Sequence, residues 1–152
     1  MEYKILEKPG FRVVGVSVNT TVQNAPKDCP VIWEEFMKRY KEIKNYVGGM
    51  KNYGVCFEKS KEKCEFQYIA CCEVSEFENI PENMVMAEVE KSKYAVFTHK
   101  GKLEKLGETY GGIMEIFKEK GLKQKPFWFE FYDHRWKGDK PDSLMEIWCA
   151  IE

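Results

Sequence analysis

The sequence predicts an α+β fold in which a βαββ unit occurs twice, with the two copies related by a pseudo-two-fold axis. The first observation is the order of elements, because each half contains a leading strand followed by strand, amphipathic helix, strand and strand. The second is internal similarity: YGVCFE corresponds to WFEFYD at an offset of 75 residues, and FQYIACCEV to LMEIWCAIE at 78. We expect one domain over residues 1–152, with halves at about 1–78 and 79–152, antiparallel sheets, two long helices on one side and a central cleft.

The first half begins with two strands, the second of which is rich in β-branched side chains. Apolar residues then recur at three- and four-residue spacing from Ile32 to Val47, which predicts an amphipathic helix. Asp28 is available as its N-cap, and Gly48 and Gly49 are expected to end it. The strands of this half are predicted at residues 3–7, 11–19, 53–58 and 65–74.

The second half repeats this pattern. Its helix is predicted from an apolar stripe that Gly121 ends. The stripe consists of Leu103, Leu106, Tyr110, Ile113 and Phe117. The strands of this half are predicted at residues 84–89, 94–99, 127–134 and 144–151.

Composition argues against several classes of function. Lys and Arg number 24 against 25 Asp and Glu, so the chain has no broad basic field for direct nucleic-acid binding. The N-terminus has no signal-peptide pattern and no apolar run is long enough to cross a bilayer, which predicts a cytoplasmic protein without a membrane partner. The six cysteines form no C-x-x-C pair and only two histidines are present, so we expect free thiols, no metal site and no cofactor.

Alternation along the last two strands predicts a functional face. One face of the strand at 127–134 begins with three phenylalanines, and the other carries Trp128, Glu130 and Tyr132. The final strand is divided in the same way, with aliphatic side chains on one face and Glu146 and Trp148 on the other. We expect the helices to cover the purely apolar faces, which leaves the aromatic and acidic residues together on the opposite face.

The first half adds aromatic residues to this face. The matching positions there are occupied by Tyr53, Phe57 and Tyr68, none of which is charged. The combined prediction is a cleft with aromatic walls and an acidic floor. Such a cleft suits a flat lipophilic cation, because π faces attract positive charge and a desolvated carboxylate adds directional attraction.

The segments KPFWFEFYDHR and MEIWCAIE resemble the end of the gyrase-inhibitor-like superfamily of bacterial effector-binding domains. The opening YKILEKPGFRVVGV and the central MAEVEKSKYAVFTHKGKLEKL are also similar to blocks of that superfamily, which includes the ligand domains of AraC-type and MerR-type multidrug regulators. The resemblance implies a tandem βαββ fold with a cleft for hydrophobic, often cationic compounds. It also implies that the ligand-facing glutamate of the family is Glu130, and that a second acidic position is Glu146.

The expected function is that of a stand-alone protein that binds or sequesters lipophilic, cationic aromatic compounds, because no DNA-binding segment accompanies the domain. Two alternatives remain open. One is an enzyme, a hydrolase of cyclopropane-bearing toxins in which Glu130 or Glu146 activates water. The other is an inhibitor that binds DNA gyrase as a protein partner. The sequence is compatible with a monomer or a dimer.

Overall fold

The structure is a computed structural model that describes residues 1–152. It has the α+β class that the sequence predicts, and every predicted strand is present with its ends shifted by three residues or fewer. The helices are α1 (Ala25–Arg39) and α2 (Leu106–Lys120). The strands are β1 (Tyr3–Lys8), β2 (Phe11–Thr21), β3 (Asn52–Ser60), β4 (Glu65–Val74), β5 (Val85–Val89), β6 (Ser92–Lys100), β7 (Gln124–Tyr132) and β8 (Leu144–Ile151).

All eight strands form one antiparallel sheet with the order β1-β6-β8-β7-β3-β4-β2-β5. The two halves meet at its centre, where β3 pairs with β7. The leading strand of each half is exchanged: β1 pairs with β6 of the second half, and β5 pairs with β2 of the first. This reciprocal arrangement is consistent with the duplicated unit that the sequence indicates.

Helix α1 lies closer to the N-terminus than the apolar spacing predicts. It begins after Asn24 rather than Asp28, with Pro26 in its first turn, where a missing N–H breaks no helical hydrogen bond. The chain leaves helical geometry at Ile43 and becomes extended, and the N–H of Val47 then donates to the carbonyl oxygen of Glu73 on β4. Pairing with the sheet therefore ends this helix before the two glycines do.

Helix α2 ends as predicted. Gly121 adopts a left-handed conformation with φ 65°, and its N–H donates to the carbonyl oxygen of Phe117. No helix of the structure is long and apolar enough to span a membrane.

Both faces of the sheet are buried. One face, called here the helix-covered face, packs against Ile32 and Phe36 of α1 and Ile113 and Phe117 of α2. The opposite face holds a core of aromatic side chains. In this core the ring of Phe11 on β2 lies 5.5 Å from that of Phe129 on β7, although two strands separate β2 from β7. Flat strands at that separation would lie about 14 Å apart. The sheet is therefore curled around this core, and we call the face concave.

The cysteines follow the sequence expectation. All six are free thiols. The adjacent Cys71 and Cys72 point to opposite faces, because Cys71 belongs to the concave core and Cys72 to the core beneath α1.

Candidate functional site

Strand β7 presents its mixed aromatic and acidic side to the helices. Trp128 packs against the cores beneath both α1 and α2, so the two helices lie on the same side of the sheet. Phe127 and Phe129 belong to the concave core, and Phe131 packs against it. The prediction that the helices cover the phenylalanine face of β7 is therefore wrong.

The register of β7 and β8 separates the two predicted acidic residues. Glu130 lies opposite Ile147, which packs beneath α2 as predicted, whereas Glu146 lies opposite Phe131. Glu130 and Glu146 consequently point to opposite faces of the sheet. The apolar pattern could not show this, because both faces are buried and each can carry a purely apolar stripe.

The eight predicted ligand-binding residues therefore form two groups of four. The residues on the helix-covered face are Tyr68, Trp128, Glu130 and Tyr132. The residues on the concave face are Tyr53, Phe57, Glu146 and Trp148. The prediction of one shared cleft with two carboxylates is wrong.

Three tyrosine hydroxyls donate hydrogen bonds to the buried carboxylate of Glu130. Tyr68 on β4 and Tyr132 on β7 donate to Oε1 at 2.7 and 3.0 Å, and Tyr110 on α2 donates to Oε2 at 2.7 Å. Glu130 itself is only 5% exposed. The sequence places Tyr110 on the apolar stripe of α2 but does not predict its contact with the carboxylate.

Helix α1 reaches the carboxylate through Tyr68. The indole Nε1 of Trp33 donates to the Tyr68 hydroxyl at 2.8 Å, and that hydroxyl donates in turn to Glu130. Both helices are thus linked to one acidic group, α1 indirectly and α2 directly. We call Trp33, Tyr68, Tyr110, Glu130 and Tyr132 the Glu130 site.

Gly54 provides the space that this arrangement needs. It lies directly opposite Glu130 on β3. A Cβ atom at position 54 would lie 2.2 Å from the Tyr68 hydroxyl oxygen and 3.0 Å from Oε1 of Glu130. Any side chain there would collide with the hydrogen bond itself. The sequence signal for this role was a single glycine within a strand, which is typical of close approach by another group.

Burial and hydrogen bonding act on the charge of Glu130 in opposite directions. Burial raises the pKa of this carboxyl, the three tyrosine hydrogen bonds and the nearby His99 lower it, and the net shift is upward. Glu130 forms no ion pair with Lys or Arg. Burial is the main cause that raises the pKa of Tyr68, and the charge of Glu130 raises it further. The site is a buried acid that no Lys or Arg side chain contacts in an ion pair.

Glu146 is in a different electrostatic environment. Its Oε2 lies 3.2 Å from the guanidinium of Arg135, and its Oε1 accepts a hydrogen bond of 2.9 Å from the indole N–H of Trp148. Glu146 therefore has a cationic partner, Arg135, which it shares with Asp133. The structure contains no group of three or more His, Cys, Asp or Glu side chains arranged to hold a metal ion.

Comparison with known proteins assigns the sequence to a family. Residues 4–151 match the family described as integron-associated effector binding protein. The chain is 36% identical over 155 residues to the transcriptional regulator BrlR of Pseudomonas aeruginosa, in a match that covers 99% of this chain and 56% of the regulator. The chain therefore spans little more than half the length of that relative.

Solved structures share the fold at low sequence identity. SAV2435 bound to tetraphenylphosphonium aligns with a TM-score of 0.79 and 17% identity, covering 100% of this chain and 94% of that one. The integron cassette protein VCH_CASS2 of Vibrio cholerae aligns with a TM-score of 0.73 and 22% identity, covering 99% and 95%.

Proposed function

The chain belongs to the family of integron-associated effector binding proteins, and we propose that its effectors are lipophilic aromatic cations that bind at the Glu130 site. The observation that carries this proposal is the buried Glu130 carboxylate, which accepts hydrogen bonds from three phenols and forms no ion pair with Lys or Arg. A cation with apolar substituents can supply the missing positive charge while it remains in apolar surroundings. Ammonium or phosphonium charge next to aromatic rings adds a cation–π attraction.

Half-buried side chains cover the carboxylate, so a ligand must pass between them to reach it. Trp33, Tyr110 and Tyr132 are each partly exposed, and the rings of Trp33 and Tyr132 meet edge to face at 5.3 Å. A ligand that reaches Glu130 must displace one of the phenols. The exchange replaces a hydrogen bond from a neutral donor with an ionic interaction in a site of low dielectric, where such interactions are strong.

The structural relative supports this choice of ligand class. SAV2435, which shares the fold, is described with tetraphenylphosphonium bound. That cation carries four phenyl rings around a permanent positive charge, so its charge does not change with pH. It is therefore a suitable probe for the present chain.

Calorimetric titration of tetraphenylphosphonium into wild type and Glu130→Gln tests the proposal. The amide preserves shape and removes charge, so affinity should fall by about 10- to 100-fold, the range for a hydrogen bond or contact with a charged group. Triphenylphosphine oxide, which is neutral, should lose far less affinity. The variant should fold at least as well as the parent, because the net upward shift of the Glu130 pKa means that the charge, despite its hydrogen bonds, costs stability in the folded protein.

Glu146→Gln is the matched control, since the same substitution is made on the opposite face and its amide can still accept from Trp148. It should leave phosphonium affinity unchanged. An equal loss in both variants, or an equal loss for the cation and the neutral compound in Glu130→Gln, would contradict the proposed role of Glu130.

A further inference from the structure

A cavity on the concave face is separate from the Glu130 site. Its volume is about 120 Å³, and it lies where the end of β1 meets the start of β3. Two lysines and four aromatic side chains line it: Lys8, Lys51, Tyr53, Phe129, Phe131 and Trp148. We call it the basic aromatic pocket.

Packing holds the walls of the pocket in fixed positions. The rings of Phe129 and Trp148 are stacked with centroids 5.4 Å apart and an interplanar angle of 15°. The rings of Tyr53 and Phe131 meet at 5.3 Å, and Tyr53 is buried. An apolar cavity of about 150 Å³ is known to accept benzene. The pocket is somewhat smaller but opens to solvent, so one aromatic ring can enter it while its substituent stays outside.

The charge at the rim of this pocket is positive. Neither Lys8 nor Lys51 forms an ion pair, and Nζ of Lys8 lies 4.7 Å from the centre of the Phe11 ring. Lys8 is half-buried, which holds its ammonium group close to the aromatic core. The rim thus has the opposite charge to the Glu130 site.

Two carboxylates lie near the pocket without lining it. Glu146 pairs with Arg135, a guanidinium that Asp133 also contacts, and accepts a hydrogen bond from the indole N–H of Trp148. Burial is the main cause that raises the pKa of Tyr53, and the charge of the nearby Glu73 raises it further. Because neither Glu146 nor Glu73 lines the pocket, the two lysines are the charged groups that a bound ligand meets.

We propose that the basic aromatic pocket binds a small aromatic carboxylate. The ring lies against Trp148 and Phe131, where it gains apolar and stacking contacts. The carboxylate lies at the rim with Lys8 and Lys51, where charge-assisted hydrogen bonds favour an anion over a neutral or cationic analogue. This second ligand class does not depend on the function proposed for Glu130.

Titration of the full chain with sodium benzoate tests this proposal, with benzyl alcohol and benzylamine as neutral and cationic analogues. Benzoate should bind saturably and at least tenfold more tightly than either analogue. The double variant Lys8→Met, Lys51→Met should weaken benzoate binding at least tenfold. Both lysines are at the rim, so we expect the variant to fold, and an unchanged thermal unfolding midpoint would verify this.

Two controls make the result specific to this pocket. Lys118→Met removes an exposed lysine on α2, on the other side of the sheet, and should not change benzoate affinity. Glu130→Gln should also leave benzoate binding intact, which separates this test from that of the proposed function. Absence of saturable binding, equal affinity for benzylamine, unchanged affinity in the double variant, or loss of benzoate binding in either control would overturn the proposal.

Discussion

The substitution Gly54→Ala would test the central geometry of the Glu130 site with a single methyl group. The new Cβ atom would lie 2.2 Å from the Tyr68 hydroxyl oxygen and 2.7 Å from its ring carbon Cζ. Ordinary van der Waals contact begins near 3.4 Å, so the phenol must retreat by about 1 Å. Its hydrogen bond to Glu130, now 2.7 Å long, would then exceed the length at which such bonds are effective.

The expected cost follows from the loss of this bond and from the strain of moving a buried ring. A hydrogen bond to a charged group contributes about 1.5–3 kcal/mol to stability. Tyr68 is only 3% exposed and also accepts a hydrogen bond from Trp33, so it has little room to move. We expect the free energy of unfolding to fall by about 2–3 kcal/mol. For a chain of this length that corresponds to a decrease in Tm of about 5–10 °C.

The same substitution should shift the titration of Glu130. The hydrogen bond from Tyr68 lowers the pKa of this carboxyl, so its loss should raise the pKa further. Carbon-13 NMR of the glutamate carboxyl resonances, assigned with Glu130→Gln, would measure the change. Thermal unfolding followed by circular dichroism would measure stability in the same samples.

Gly107→Ala is the matched control, because a Cβ atom there would meet no atom within 4 Å. Gly107 lies within α2, where alanine is the better helix former, so the control should increase stability by up to about 1 kcal/mol. If Gly54→Ala unfolded at the wild-type temperature and left the pKa of Glu130 unchanged, the close contact between β3 and Tyr68 would not exist as described.

Two further predictions concern the charge of Glu130 and the Tyr110 hydroxyl that helps to cover it. Because burial raises the pKa of Glu130, protonation removes its charge at a higher pH than in an ordinary carboxyl. Affinity for tetraphenylphosphonium should therefore weaken as the pH falls through that raised value, and a flat profile from neutral to acid pH would argue against it. Tyr110→Phe removes the one hydroxyl that links α2 to Glu130 while it keeps the ring. Calorimetry should show tighter phosphonium binding, since a competing donor is gone; weaker binding would show that the hydroxyl contacts the ligand.

The secondary structure could be predicted from the sequence because its signals are local. Alternation of apolar side chains gave all eight strands, and Gly121 marked the end of α2. The apolar spacing places helix α1 too far toward the C-terminus, because the limits of this helix depend on tertiary contacts. The segment after Arg39 has helical spacing, yet pairing of Val47 with Glu73 on β4 makes it extended.

The contacts of the Glu130 site could be predicted only in part, because they connect distant positions. Glu130, Tyr68 and Tyr132 were selected as site residues from strand alternation, but the bonds that join them depend on the pairing of β3 with both β4 and β7. Tyr110 approaches from a helix, and its hydroxyl is one polar atom on an otherwise apolar stripe. Nothing local to residue 110 indicates that a carboxylate lies beneath it.

The incorrect grouping of Tyr53 and Phe57 with Glu130 has a specific cause in the repeat itself. In the structure Gly54 of β3 pairs with Glu130 of β7, and both lie on the helix-covered face. The residue numbers of positions that share a face on these two strands therefore differ by an even number. Tyr68 of β4 and Ile147 of β8 also share that face, so the residue numbers of same-face positions on β4 and β8 differ by an odd number. The sequence offsets of 75 and 78 have the opposite parity in both cases. Because side chains alternate with a period of two, an alignment error of one residue moves every matched side chain to the other face. The same duplication that identified the fold therefore placed Tyr53 beside Glu130, when Tyr53 lies in the concave core and faces the basic aromatic pocket.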